Sequence, residues 1–467
     1  MSKISFHGAA GTVTGSCHLL EFEHAKILLD AGEFQGPWPV EQLNYRPFAF
    51  QPSGIDALIL SHGHLDHCGR IPLLAGNGFE GRIYCTHPTK DIAQLILMDA
   101  AHILKEEFVW RKKRLQRRGI NAAEPLYSFE DVFYAASLFG RPVHYHKKIE
   151  LGSDASLFFH SSDAGHILGS SQVYIDYRDK KGHKKRLLYT GDLGDGDRPV
   201  VNDPDMPERP VDVLVMESTY GNREHKTYEE SLLEFEDAVI STIQNEGTVL
   251  IPTFALERAQ EILFHIGRLK RSGRIAGRVP VFLNSPLAIN ITRLYRKHCG
   301  YCNRDISNGN GESPFMFQGL KMTESTEESI AIHSVEGPKI ILAGSGMMTG
   351  GRIKHHLKHL LWKENTTLVI VGYQSEGTLG RKIVDGADSV KIFGAPVSVK
   401  ARVYTINGFS AHADRRHLLD FARRARPGRI FVVHGEPSSS KALAEDLKRV
   451  LPAAKITVPK LGQKFDI

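Results

Sequence analysis

No stretch of this 467-residue chain approaches the roughly 18 uninterrupted apolar residues of a membrane span. Its start, Met1 to His7, lacks the apolar core of a secretory signal. These absences argue against membrane insertion and secretion and lead us to expect a cytoplasmic protein. Cysteine is scarce: five residues, an odd number, argue against a disulfide framework and for a reducing compartment. Charge of one sign is also sparse, since a net +6 fits a polyanionic partner without requiring one. No internal repeat is found, and low complexity is limited to Pro437-Ser-Ser-Ser440.

What is present is ordinary in bulk and unusual in one detail. Apolar residues at 41% and charged residues at 24% are enough for compact cores. Because single cores rarely grow past roughly 250 to 300 residues, the length implies two domains. The 23 histidines stand out, as histidine is the commonest metal ligand and the usual acid/base group near neutral pH.

From Lys3 to Gly69 the chain reads as strands, with runs such as Ile27-Leu28-Leu29 and Ala57-Leu58-Ile59-Leu60 that end in polar or glycine residues. Helical spacing follows from Asp91 to Gly119, closing on the basic run Arg111 to Arg118. That run suits either a solvated helix face or RNA contact. Strands resume at Ala155 to His160, Gln172 to Tyr177 and Arg186 to Thr190. A proline-rich, acidic stretch from Pro199 to Pro210 has the composition of a linker and suggests a domain boundary. Beyond it strand and helix alternate: Asp212 to Met216, a helix through Glu229 to Gln244, Thr248 to Ile251, a helix from Glu257, then Val279 to Leu283. Lys339 to Ala343 and Thr367 to Val371 each run through a glycine-bearing loop into a helix. Such alternation implies βαβ units and a parallel sheet. From about Ala395 the strand texture of the first domain returns, with Arg402 to Ile406 and Arg429 to Val433.

The sharpest signal is Ser61-His-Gly-His-Leu-Asp-His-Cys68, which crowds His62, His64, Asp66 and His67 into the turn after an apolar strand. Imidazole and carboxylate at this density suit zinc or a similar divalent ion. A structural zinc site closes with four ligands, whereas this cluster could serve two ions if a few distant residues joined it. His166, in Asp163-Ala-Gly-His-Ile-Leu-Gly169, and Asp192, in Tyr189-Thr-Gly-Asp-Leu-Gly194, are candidates in glycine-flanked turns.

Taken together with Asp30 in Leu28-Leu-Asp-Ala-Gly32, these motifs in this order resemble those of the metallo-β-lactamase superfamily. The resemblance implies two antiparallel-rich sheets sandwiched by helices, an αββα arrangement. It further implies that His62, His64 and His166 hold one zinc ion, that Asp66 and His67 hold a second, and that Asp192 bridges them. Asp30 would fix the ligand loop by hydrogen bonds. Three further segments, Met216-Glu-Ser-Thr-Tyr-Gly221, Phe409-Ser-Ala-His-Ala-Asp414 and Val432-Val-His-Gly-Glu436, resemble the additional motifs of the β-CASP nucleases within that superfamily. Ile251-Pro-Thr-Phe-Ala255 and Gly344 to Gly351 also look like family segments, so the likeness spans nearly the whole chain. The fold class is then α/β, with a metallo-β-lactamase domain at 1–208 and 396–467 and an inserted parallel α/β β-CASP domain at 209–395. By the same likeness His434 completes the second ion's ligands, and histidine there points to the RNA-cleaving branches.

The implied activity is a zinc-dependent ribonuclease acting on single-stranded RNA, with internal cleavage as the expected mode. Two ions about 3.5 to 4 Å apart can hold a shared water as hydroxide and neutralise a phosphate oxygen, with Asp66 and Asp192 as the central carboxylates. His412 is the candidate general acid for the leaving oxygen, with Glu217 orienting its ring. In the inserted domain Ser345 and Gly346, Ser375, Arg258, Arg352 and Lys354 are candidates for phosphate contact. The alternative for the glycine-rich loops is a tight turn, and for each cation a surface charge. Cys299-Gly-Tyr-Cys302 resembles half a zinc knuckle but has no partner pair, so chance pairing is the better reading. Two competing functions are a small-molecule thiolester hydrolase and a non-catalytic RNA-binding partner. The large insertion disfavours the first and the complete ligand set the second. The chain starts almost at the first strand and ends soon after the last motif, so neither an amino-terminal RNA-binding module nor an added carboxyl-terminal domain is expected. No motif sets the oligomeric state, and a homodimer is allowed.

Overall fold

The computed structural model describes residues 2–117, 119–151, 157–303, 306 and 313–467. The start of the strand expected from Ala155, and Arg118 of the basic run, lie outside the described residues. The chain divides into two units. The first comprises Met1–Asp197, Asn202–Glu224 and His412–Ile467, and the second Arg198–Val201 and His225–Ala411.

In the first unit one sheet runs in the order Lys464–Asp466, Lys3–Phe6, His18–Glu21, Lys26–Leu29, Ala57–Ile59, Arg82–Tyr84. The other runs Lys455–Thr457, Arg429–Val432, Val213–Met216, Lys184–Tyr189, Ser171–Arg178, Phe158–Asp163, Ile149–Glu150. Side chains alternate across a strand, and here the alternation builds three layers of core. Ile27 and Leu29 meet Val213, Val215 and Phe431 between the sheets. Leu28 and Leu58 face outward to a cluster with Leu74, Leu97 and Val132 from helices Ile71–Gly76, His87–Gln116 and Phe129–Ser137. Leu214, Met216, Ile430 and Val432 do the same toward helices Arg415–Ala425 and Pro437–Val450. Helices therefore cover both outer faces, giving the αββα sandwich.

The second unit is built on a parallel sheet ordered Leu320–Met322, Val281–Asn284, Lys339–Ala343, Thr248–Pro252, Thr366–Ile370, Arg402–Thr405. The four central strands are buried along their whole length, so their middles read as apolar runs with polar residues confined to the strand ends. Helices Tyr228–Gln244 and Pro286–Lys297 are started by Thr227 and Ser285, whose side chains accept the backbone N–H three residues on.

The partition differs from the expected 209–395 insertion at both ends. Val213–Met216 pairs between Lys184–Tyr189 and Arg429–Val432, so the chain is still in the first unit there. Arg402–Thr405 pairs with Thr366–Ile370 as the edge of the inserted sheet, so its return to the first unit comes only at His412. Short strands of either sheet carry the same alternation, which is why texture alone misassigned both. The stretch from Pro199 to Pro210 is no simple linker, because Arg198–Val201 packs with the second unit and Asn202 onward with the first. Among the described residues no helix is long and apolar enough to cross a membrane.

Candidate metal centre

The ligand loop leaves strand Ala57–Ile59 and turns at once into the short helix Leu65–Cys68, with His64 as its first flanking residue. Backbone bonds lock this turn: Ser16 N–H donates to Asp66 O at 2.8 Å and Ala31 N–H to His67 O at 2.9 Å. Gly32 lies so close that a Cβ there would stand 1.6 Å from Asp66 O, so no larger residue fits without moving the loop.

Asp30, buried and held at a left-handed φ of 58°, gathers the surrounding donors. Its carboxylate accepts Ser61 N–H at 2.7 Å, Ser61 Oγ at 2.8 Å and Tyr189 OH at 2.6 Å, and stands 2.7 Å from His67 Nδ1. Burial opposes its charge, but the His67 ring and these donors hold its carboxyl below the usual range. Fixing Nδ1 of His67 in this way directs Nε2 into the centre.

Two groups of donor atoms converge there. In the first, His64 Nδ1 is 3.0 Å from His62 Nε2 and 3.2 Å from His166 Nε2. Asp192 Oδ2 is 3.4 Å from the former ring and 3.6 Å from the latter. In the second, His67 Nε2 is 3.1 Å from His434 Nε2 and 3.3 Å from Asp192 Oδ1, and His434 Nε2 is 3.4 Å from Asp66 Oδ2. Donors at about 2.0 to 2.1 Å from a tetrahedral zinc ion lie roughly 3.3 Å apart, so both groups have the dimensions of a zinc shell. Asp192 Oδ1 is buried without a well-formed hydrogen bond, facing the His67 and His434 rings at 3.3 and 3.4 Å, a position that a divalent cation would satisfy better. The donor sets therefore fit two divalent ions sharing Asp192.

The first donor group holds neutral rings, while in the second a metal would have to displace the proton of His67. Burial lowers the pKa of His62 and His166, and that of His64 to about 3, so these rings are neutral with lone pairs available to a metal. Burial also opposes charge on His67, but Asp192 and Asp30 outweigh it and push its pKa well above 6.5. Burial likewise opposes charge on Asp192, yet His434, His67 and His62 keep it well below the usual carboxylate range.

Beside the centre, Glu217 Oε1 accepts Leu193 N–H at 2.7 Å and stands 3.2 Å from His412 Nδ1. Burial disfavours the imidazolium of His412, but Glu217 overrides it and raises its pKa to about 9. The His412 ring lies 4.5 Å from that of His166, centroid to centroid. His434 sits at a left-handed φ of 48°, and its Nδ1 is 3.2 Å from Thr219 Oγ1. Sequence reasoning passed over Tyr189, Thr219 and Ser61 as holders of Asp30 and His434. Each lies inside or beside a motif, but hydroxyl residues carry no metal-binding signal of their own.

The phosphate candidates lie in the second unit and are not all together. Ser345, Gly346 and Ser375 occupy neighbouring loops, joined by Gln374 Nε2 donating to Gly346 O at 3.0 Å. The loop after Lys339–Ala343 is largely closed on itself: Met348 N–H donates to Ser345 O at 3.1 Å, Gly350 N–H to Ser345 Oγ at 3.3 Å and Ile353 N–H to Gly344 O at 2.9 Å. These bonds favour the tight-turn reading. Arg258 is buried, paired with Glu257 at 3.3 Å and with Glu261. Arg352 donates to Thr323 O at 3.0 Å and to Glu324 O. Both guanidinium groups are thus engaged within the unit rather than offered as surface charges. Cys302 is buried and Cys299 exposed, without a second pair, and Cys17, Cys68 and Cys85 are buried.

Comparison with known proteins agrees with this geometry. Residues 10–243 match the metallo-beta-lactamase superfamily, 259–383 a Beta-Casp domain and 396–459 a Zn-dependent metallo-hydrolase RNA specificity domain. The chain is 38% identical to Ribonuclease TTHA0252 of Thermus thermophilus, over 98% of each chain. An RNase J-like protein of Methanocaldococcus jannaschii is 31% identical over 97% of this chain and 96% of its own. Transcription termination factor FttA of the same organism is 31% identical over 96% of this chain and 69% of its own. A solved structure of a protein of unknown function from Enterococcus faecalis V583 shares the fold, with a TM-score of 0.57, 14% identity and 99% coverage of both chains.

Proposed function

The chain belongs to the β-CASP group of the metallo-β-lactamase superfamily, and from that premise we propose that it is a two-zinc ribonuclease that cuts single-stranded RNA internally. The observation that carries this reading is the pair of donor groups meeting on the two oxygens of Asp192. His62, His64 and His166 hold one ion, and Asp66, His67 and His434 the other. Two bound divalent ions would supply a nucleophile from water at neutral pH and offset charge on the phosphate.

The remaining work falls to His412 and Glu217. As water oxygen bonds to phosphorus, the bond to the 3′-oxygen breaks and that oxygen needs a proton. Glu217 engages Nδ1 of His412 and favours its charged form, so the ring is oriented with Nε2 as the donor. Glu217 also grips the Leu193 N–H, which ties the proton donor to the turn that carries Asp192.

The relatives named as ribonucleases and the match to an RNA specificity domain support RNA as substrate. The test is digestion of labelled linear and circular RNAs by zinc-loaded protein and by protein stripped with chelator. Metal-dependent opening of the circle is expected. Cleavage confined to linear RNA would replace the internal mode with an exonucleolytic one, and cleavage of neither would remove the ribonuclease reading.

A further inference from the structure

Helix His87–Gln116 is 30 residues long, yet each of its fully buried residues lies between Pro88 and Ala101. That first half is seated under the metal centre. Thr86 and Thr89 donate to Gly169 O at 2.7 and 2.8 Å, and a Cβ on Gly63 would meet Ile92 at 2.5 Å. The second half leaves the core and carries large exposed apolar groups, with Ile103 47% and Trp110 63% exposed. Such exposure has an energetic cost that an ordinary solvated helix avoids.

The same half is strongly cationic. Five of the seven residues from Arg111 to Arg117 are lysine or arginine. One or two cations suffice to offset the partial negative charge of a helix carboxyl end, so the dipole does not account for five. The Arg114 guanidinium lies 5.2 Å from the Trp110 ring centroid, and Lys112 Nζ lies 5.4 Å from that of Phe108. Ile103, Glu107, Trp110, Arg114 and Arg117 follow at intervals of four, three, four and three, which places them on one helix face whose carboxyl-terminal end is cationic.

We propose that this projecting half of the helix is a second RNA-binding surface, one that holds the substrate strand away from the scissile bond. It rests on the ribonuclease reading above. Trp110 stacks on a base, and Lys113, Arg114 and Arg117 bind phosphates, the combination that holds single strands without regard to sequence. A second copy of the chain is disfavoured, because a two-fold contact would bring this cationic patch against itself. A membrane surface is disfavoured as well, since Arg114 and Arg117 share the face of Trp110 instead of lying opposite an apolar stripe. From Ile92 to Arg117 the helix rises roughly 37 Å at about 1.5 Å per residue. At about 3.4 Å per stacked nucleotide, that distance spans roughly ten nucleotides. The surface therefore acts only on longer RNAs.

The test compares wild type with Trp110→Ala and with a combined Lys113→Ala, Arg114→Ala, Arg117→Ala variant. One RNA is shorter than about ten nucleotides and one several times longer. Binding is read by fluorescence anisotropy with chelator present, and cleavage with zinc. For the long RNA, the Trp110 variant should bind ~5- to 100-fold more weakly. The combined variant should show a salt slope shallower by up to about 2.1, near 0.7 for each phosphate that is no longer neutralised. Cleavage of the short RNA should stay at the wild-type rate, which also shows that both variants fold. Unchanged binding of the long RNA overturns the proposal, as does an equal loss on the short one. Wild-type binding to anionic phosphatidylserine vesicles that the variants lose, with long-RNA affinity unchanged, would assign the surface to membrane. If wild type binds the long RNA but cleaves none, the ribonuclease reading fails while the binding data still decide on the surface.

Discussion

Glu217 Oε1 stands 3.2 Å from His412 Nδ1 and accepts the Leu193 N–H at 2.7 Å, so one carboxylate oxygen links His412 to the residue after Asp192. This geometry separates two jobs that a single activity measurement would merge. His412→Ala should leave zinc content near that of wild type while cleavage drops by about 10² to 10⁴. An RNA with a bridging 3′-sulfur at the scissile bond, whose leaving group needs no proton, should recover much of the loss. Zinc missing from the His412 variant, or no recovery with the sulfur substrate, would move His412 to the metal shell or to substrate positioning.

Zinc content itself should be close to two ions per chain, because Asp192 and six further donor residues form two adjoining groups. Asp192→Asn should lower occupancy of both positions and cleavage together, with no recovery on the sulfur substrate. Elemental analysis finding no more than one tightly held ion, with Asp66 and His67 replaceable without loss, would end the two-ion model.

Asp30 offers a finer test, since among the imidazoles of the two donor groups it hydrogen-bonds His67. Asp30→Asn should weaken the position held by Asp66, His67 and His434 by about 10- to 100-fold, the usual effect of removing a ligand's outer partner. Stepwise competition with a chromogenic chelator should then show one weakened and one nearly unchanged ion. Equal weakening of both would mean that Asp30 acts through Ser61, whose Oγ also lies 3.0 Å from His62 Nδ1.

The candidate metal donors were legible as a cluster because imidazole and carboxylate packed into one turn have few structural uses, and because each distant candidate sits in a glycine-flanked turn at a strand end. His67, His166 and His434 are far apart in sequence, and only the resemblance to a known family joined them. The hydroxyl groups that hold Asp30 and His434 were not legible, since Ser61, Tyr189 and Thr219 owe their roles to tertiary contacts of 2.6 to 3.2 Å. Domain limits failed for a related reason. Val213–Met216 and Arg402–Thr405 carry strand patterns that either sheet could accept, and only pairing decides between them. Arg258 and Arg352 looked like free charges because sequence does not reveal burial or the carbonyl and carboxylate partners that occupy them.

RNA should be cut faster than DNA of the same sequence, on the strength of His434 in the third motif and the match of 396–459 to an RNA specificity domain. Parallel digestion of matched single strands measures the ratio directly. Equal or faster cleavage of DNA would contradict it.

The turn bearing Asp192 and the turn bearing His412 are laced together by a second set of bonds. Ala413 N–H donates to Leu193 O at 2.7 Å, Asp414 N–H to Asp195 Oδ1 at 3.0 Å, and His417 Nδ1 lies 2.8 Å from the same Asp195 oxygen. Removing the Asp195 carboxylate cuts two of these three ties, touches none of the donors grouped on Asp192, and frees His412 to drift from Asp192. Asp195→Ala should therefore keep its zinc and lose about tenfold or more in kcat, since proton transfer depends on a donor held within hydrogen-bond reach. The 3′-sulfur substrate should restore that loss, which a merely destabilised fold would not allow. His417 supplies an independent readout in stability. Hydrogen bonds to Asp195 and Asp414 raise its pKa from 6.5 to about 10. A folded-state pKa above the unfolded value gives stabilisation that is complete below about pH 6.5 and is lost as pH rises through about 10. The Tm advantage of wild type over His417→Gln should accordingly shrink between pH 7 and pH 10, by a modest amount because the ring is half-exposed and screened. A gap that stays constant across that range, together with an Asp195→Ala enzyme unrescued by the sulfur substrate, would show that this lacing does not position His412.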